Sequence, residues 1–100
     1  MRMKPDKLLL MILESVANDY EQLDHIANQV ATWTKTPIDQ LDFRGIEATL
    51  ADCISSGYIE AYELNSTAPH VVKVSGTIAN FNQHWFLITE RGKAKCSSTP

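Results

Sequence analysis

Histidine and cysteine are the residue types in this chain best suited to metal or nucleophile chemistry, and their spacing supports neither. His25, His70 and His84 stand far apart, and none belongs to an HxxxH, HxH or Cys/His ligand spacing. Cys53 and Cys96 form no CxxC and no short-interval framework, so both are expected as reduced thiols in a cytoplasmic protein, Cys53 as a small apolar core residue. There is no GxSxG, no glycine-rich phosphate loop and no nucleophile–base signature. The expectation is a non-enzyme that needs no metal and no cofactor.

What remains is charge. Arg2, Lys4 and Lys7 lie at one end of the sequence, and Arg91, Lys93 and Lys95 at the other, inside HWFLITERGKAKC at 84–96. If the ends meet, these six residues form a basic patch; otherwise the lysines near the C-terminus serve the negative end of a short helix. The whole chain carries −3, but residues 8–90 hold only Lys35, Arg44 and Lys73 against eleven carboxylates, a balance of −8. A phosphate backbone would have to be bound against that field.

A chain of 100 residues with 44% hydrophobic content supports one core, and a single domain is expected over 1–96 with a disordered tail at 97–100. The longest apolar run, LLLMIL at 8–13, is far short of the about 20 residues that cross a bilayer. No small-residue cleavage site follows it, so no leader and no membrane contact are expected. It reads instead as part of a helix over 5–18, with Leu9, Ile12, Leu13, Val16 and Tyr20 on one face. Leu8, Leu10 and Met11 widen that face, which calls for cover by another element or by a second copy in a dimer.

Asp19 with Gln22 has the spacing of a capping box, and Leu23, Ile26, Ala27 and Val30 mark the buried face of a second helix ending near Trp33–Lys35. Thr36 as cap and Pro37 at the first position restart the chain. Either one helix spans 37–56, or a single turn at 37–40 precedes a helix capped by Asp42. Gly45 in a helix interior costs about 1 kcal/mol relative to alanine and favours the second arrangement. Phe43, Ile46, Leu50, Cys53 and Ile54 form its buried face, and Gly57 closes it in the left-handed conformation. The period then changes to two, with strands at 58–64 and 85–89 and a weaker one at 71–74. Residues 65–69 and 75–83 read as turn or loop, and Thr89 caps a final short helix. Trp33 and Trp85 are expected in the core; an exposed tryptophan would instead be the natural centre of a protein interface.

Two stretches, ATLADCISSGYIE at 48–60 and WFLITERGKA at 85–94, resemble the third helix with its first wing strand, and the closing strand, of a winged helix-turn-helix domain. The chain is similar in this respect to the bacterial MarR-like and PadR-like regulators, although it supplies no long C-terminal dimerisation helix. The resemblance implies an α+β fold: a three-helix bundle, a two- or three-stranded antiparallel wing and a short C-terminal helix. It also implies transcription regulation by binding double-stranded DNA, with the third helix in the major groove and the wing on the neighbouring backbone. On that basis Arg44 would read a guanine and Gln40 an adenine, Lys35 and Thr36 would touch phosphate, and Lys73 and Asn82 would serve from the wing. The outward face of the third helix nonetheless sets Arg44 against Asp42, Glu47 and Asp52. That charge suits the alternative, a winged-helix module whose acidic face and exposed apolar residues bind a protein or a second copy.

Overall fold

Backbone hydrogen bonding decides where the first helix stops. In the computed structural model, which describes residues 5–74 and 81–98, α1 spans Pro5–Ser15 and ends before the expected Asn18. The Val16 carbonyl accepts from the Ile88 N–H at 3.0 Å, which draws the chain out of the helix toward a distant strand. Ser15 is buried, and its hydroxyl donates to the Ile12 carbonyl at 2.6 Å, so that polar group is satisfied inside the core.

The capping-box signal at Asp19 is overridden in the same way. Asp19 accepts only from the neighbouring Tyr20 N–H at 2.7 Å, and Glu21–Gln22 form a short strand, β1. They pair antiparallel with Phe86 and Trp85. Helix α2 (Leu23–Thr34) starts after them, with Gln22 at its N-cap and no side-chain cap. A strand edge left unpaired beside the core would be more costly than a missing cap, because every buried N–H and C=O must find a partner.

The single-turn alternative holds for the next segment. A 3₁₀ turn covers Ile38–Gln40, and α3 (Phe43–Ser55) begins at Asp42, whose Oδ1 accepts from the Gly45 N–H at 3.0 Å. Thr36 does not cap; Pro37 precedes the turn without a side-chain bond. Because the helix starts there, Phe43 is its first residue and remains exposed, contrary to its expected place in the core. Ile46, almost one turn on, is the first α3 residue to be buried. Gly57, at φ +79°, closes the helix, with its N–H on the Ile54 carbonyl and the Tyr58 N–H on that of Cys53.

Strands β2 (Ile59–Leu64), β3 (Val71–Val74) and β4 (Trp85–Ile88) join β1 in one sheet of order β1-β4-β2-β3, antiparallel throughout. Four strands thus replace the two or three expected, since β1 was not legible as a strand. The fold is α+β. Ile59, Ala61, Phe86 and Ile88 point from the sheet into the core, where they meet Ile12, Leu13 and Val16 of the α1 segment, Leu23, Ile26, Ala27 and Val30 of α2, and Ile46, Leu50 and Cys53 of α3. The long connection from β2 to β4 contains β3 and a 3₁₀ turn at Phe81–Gln83; the expected loop at 75–80 lies outside the described residues.

The last helix, α4 (Glu90–Ser98), runs two residues into the stretch expected as a tail, and residues 99–100 lie outside the described ones. Thr89 holds its start: the hydroxyl donates to the Gly57 carbonyl at 2.6 Å and accepts from the Gly92 N–H at 3.1 Å. Leu8, Leu9 and Met11 lie half-buried against the core, and α4 packs on α1, so part of the wide apolar arc is covered within the chain.

Gly92 lets α4 lie close against the end of β4 and the residue before β2. A Cβ there would stand 2.6 Å from Ile88 Cγ1 and would also strike the Tyr58 carbonyl. Gly92→Ala is therefore expected to cost about 1–3 kcal/mol, read as a lower urea midpoint with unchanged slope. Asp42→Ala removes the α3 cap and should cost about 1 kcal/mol in the same titration.

Candidate functional site

Lys35, Thr36, Gln40 and Arg44 all fall on one corner, where α2 turns through Ile38–Gln40 into α3. Lys35 closes α2 in the left-handed conformation, φ 54° and ψ 39°, and its side chain is exposed. Thr36 serves the turn itself: its hydroxyl is bonded to that of Thr34 at 2.9 Å, and its N–H donates to the Ala31 carbonyl at 3.0 Å. Gln40 is exposed. Arg44 is exposed as the second residue of α3 and makes no ion pair with a described residue.

Carboxylates dominate the same surface. Asp39 and Asp42 are exposed and Glu47 is half-buried, so Lys35 and Arg44 stand among a majority of negative charge. The β2–β3 hairpin adds no unpaired lysine or arginine among the described residues. Lys73 Nζ lies 3.2 Å from Glu60 Oε1, and the same carboxylate accepts from the Tyr62 hydroxyl at 2.6 Å. These two donors, Tyr62 first, hold the Glu60 carboxyl below its usual range, and the bond to Glu60 raises the Tyr62 hydroxyl to about 12. His84 approaches Glu63 at 3.9 Å. Asn65 and His70 shape the hairpin turn: the Asn65 N–H donates to the His70 carbonyl at 2.8 Å, and the Asn65 amide to the Pro69 carbonyl at 3.1 Å. The side chain of Asn82 lies outside the described residues.

Of the six residues of the basic ends, four are described. Arg2 and Lys4 lie outside the described residues, and Lys7 is exposed near the start of α1. Arg91 sits over the Tyr58 ring at 5.9 Å, and Lys93 Nζ reaches Glu90 Oε1 at 3.4 Å. Lys95 is half-buried and has a partner of its own.

Apolar exposure is the stronger feature of the corner. Trp33 is 46% exposed, Ile38 46% and Phe43 38%, all within residues 33–43. Periodicity held the signal for Trp33: the stripe 23-26-27-30 continues to Thr34, which is half-buried with its hydroxyl on the Val30 carbonyl at 2.7 Å. Trp85, also expected in the core, is half-buried on the sheet face away from it.

Among the described residues no group of three or more His, Cys, Asp or Glu side chains is placed to hold a metal, and no helix is long and apolar enough to cross a membrane. Cys53 is buried in the core, and burial, followed by the nearby Asp52 charge and Cys96, pushes its thiol up to about 12. Burial raises Cys96 as well, with Glu14 adding to it. A thiol reagent at neutral pH should therefore label Cys53 only at the rate of global unfolding, with half-buried Cys96 reacting first; equal native rates by mass spectrometry would contradict this. Compared with known proteins, the chain matches no family model, no curated protein and no solved structure.

Proposed function

We propose that this chain is a winged-helix module that docks a protein through its helix–turn–helix corner. The element order supports the fold half of that statement. A short strand between the first two helices pairs with the last strand, and α3 leads directly into a hairpin. The observation that carries the functional half is the exposure of Trp33, Ile38 and Phe43 on the surface that a winged helix would otherwise present to DNA. Burying each such side chain contributes about 1.5–3 kcal/mol. The adjacent Asp39 and Asp42 favour an apolar segment that carries basic residues and oppose a phosphate backbone. The two free thiols suit a cytoplasmic setting.

The test uses the full chain as an immobilised bait beside its Trp33→Ser and Phe43→Ser variants, each first shown to unfold at the wild-type midpoint. At least one protein retained by the wild type and lost from both variants is expected. Identical retention on all three overturns the docking role of the corner.

Duplex DNA is the second reading, favoured by one observation: Lys35, Gln40 and Arg44 are exposed together, and neither cation is paired with a described residue. A transcription regulator built this way neutralises few phosphates. With two cations its affinity should fall with a slope of about −2 in log K against log salt. Anisotropy of a labelled random duplex measures this, and Arg44→Ala should flatten the slope. No binding at low salt removes the DNA reading.

A further inference from the structure

We infer that the outer face of the sheet is a homodimer interface, taking a second copy of this chain face to face. Strand register defines that face. Ile59, Ala61, Phe86 and Ile88 turn toward the core, so the alternate positions turn away from it. Tyr62 lies opposite Trp85, and Leu64 opposite Val71; Leu87 lies opposite Glu60, and Lys73 opposite Tyr62. Tyr20 joins them, its ring set edge-on to Tyr62 at a centroid distance of 5.1 Å. The result is an aromatic-rich apolar surface of Tyr20, Tyr62, Leu64, Val71, Trp85 and Leu87.

The placement of the other described elements leaves this face open. The helices pack on the core side, and α4 joins them there through Gly92 against Ile88. The turn at Phe81–Gln83 also lies on the core side, with Phe81 packed against the core and 6.2 Å from the Phe86 ring. Leu64 and Val71, at the far end of the hairpin, are 38% and 42% exposed.

Charge selects the occupant. The face carries one cation and one anion, Lys73 and Glu60, already joined at 3.2 Å, with the Tyr62 hydroxyl on the same carboxylate. Covering it therefore leaves neither charge without a partner, which is the usual penalty for burying charged groups. Elsewhere residues 8–90 are acidic, with a balance of −8, so two copies repel over most of their surfaces and least where the charges cancel. A two-fold axis across the Glu60–Lys73 pair sets the pairs of the two copies head to tail, which makes the face complementary to itself. A nucleic acid finds no net positive charge here. Sheets packed face to face through aromatic and aliphatic side chains are an established form of apolar contact. Half-covered side chains make the interface small, and the dimer is correspondingly weak, dissociating in the micromolar range.

Sedimentation equilibrium of the full chain, from low micromolar to several hundred micromolar, measures this directly. A mass that rises toward the dimer is expected. Leu64→Lys combined with Val71→Lys changes two exposed positions and should weaken association at least tenfold, while Trp33→Ser leaves it unchanged; unfolding midpoints verify that each variant folds. In Trp33→Phe, Trp85 becomes the sole tryptophan, and its emission should move to shorter wavelength as concentration rises. A monomer at every concentration overturns the inference. So does a dimer that survives the paired lysines, or one that is lost with Trp33→Ser alone. Because the corner is tested by capture of a different protein and the sheet face by self-association, either one can fail without the other.

Discussion

The backbone of residues 85–89 is engaged on both sides, and the rest of the fold is arranged around that engagement. β4 pairs with β1 along one edge and with β2 along the other, while Phe86 fills the core with no exposure. Its last residue, Ile88, holds the chain after α1 through the Val16 carbonyl. Thr89 then makes four bonds at once: its N–H donates to the Tyr58 carbonyl at 3.0 Å, its hydroxyl donates to the Gly57 carbonyl and accepts from the Gly92 N–H, and its carbonyl accepts from the Lys93 N–H at 3.0 Å. The end of α3, the start of β2 and the start of α4 are therefore fixed relative to one another by one side chain and its backbone. Each of these bonds alone is worth about 1 kcal/mol, but together they leave α4 a single way to sit.

Features written locally were legible in the sequence. Asp42 outcompeted a helix start at Pro37 because its side chain reaches the Gly45 N–H, and Gly57 adopts the positive φ that a helix end before a strand requires. Cys53 and Thr89 also stand where their neighbours implied. Features set by distant partners were not. Glu21–Gln22 carry no strand pattern; only the open edge of β4 makes them one. Lys73 looked like a free wing cation until the β2–β3 register brought it to Glu60. At the candidate corner Lys35, Gln40 and Arg44 are exposed, as residues outside the apolar stripes should be, while Thr36 is bound into a turn that local sequence did not reveal. Periodicity names a helix face without saying how far the core extends along it, and that is why Phe43 and Trp33 emerged exposed.

The surface divides by chemistry more clearly than by element. At the corner, apolar side chains mix with carboxylates and with two cations that pair with no described residue. On the outer sheet face the charges are already matched, and what is offered is flat and aromatic. The lysines and arginine of α4 mostly answer groups of the chain itself, Tyr58 and Glu90 among them. Among the described residues, Lys73, Arg91, Lys93 and Lys95 each meet a group of the chain itself, whereas Lys35 and Arg44 stand exposed at the corner.

Pairing of Glu21 with Phe86 has a consequence for synthesis. A ribosome releases the chain from its N-terminus, so β1 emerges well before the strand it needs. At about 5–20 residues per second, the interval lasts several seconds, during which α2 and α3 can form but the sheet cannot close. Loop closure over such a separation is slow compared with helix formation. The sheet can therefore close only once residues 85–89 have been made, and until then the apolar stripes of α2 and α3 lack the cover that Phe86 and Ile88 supply.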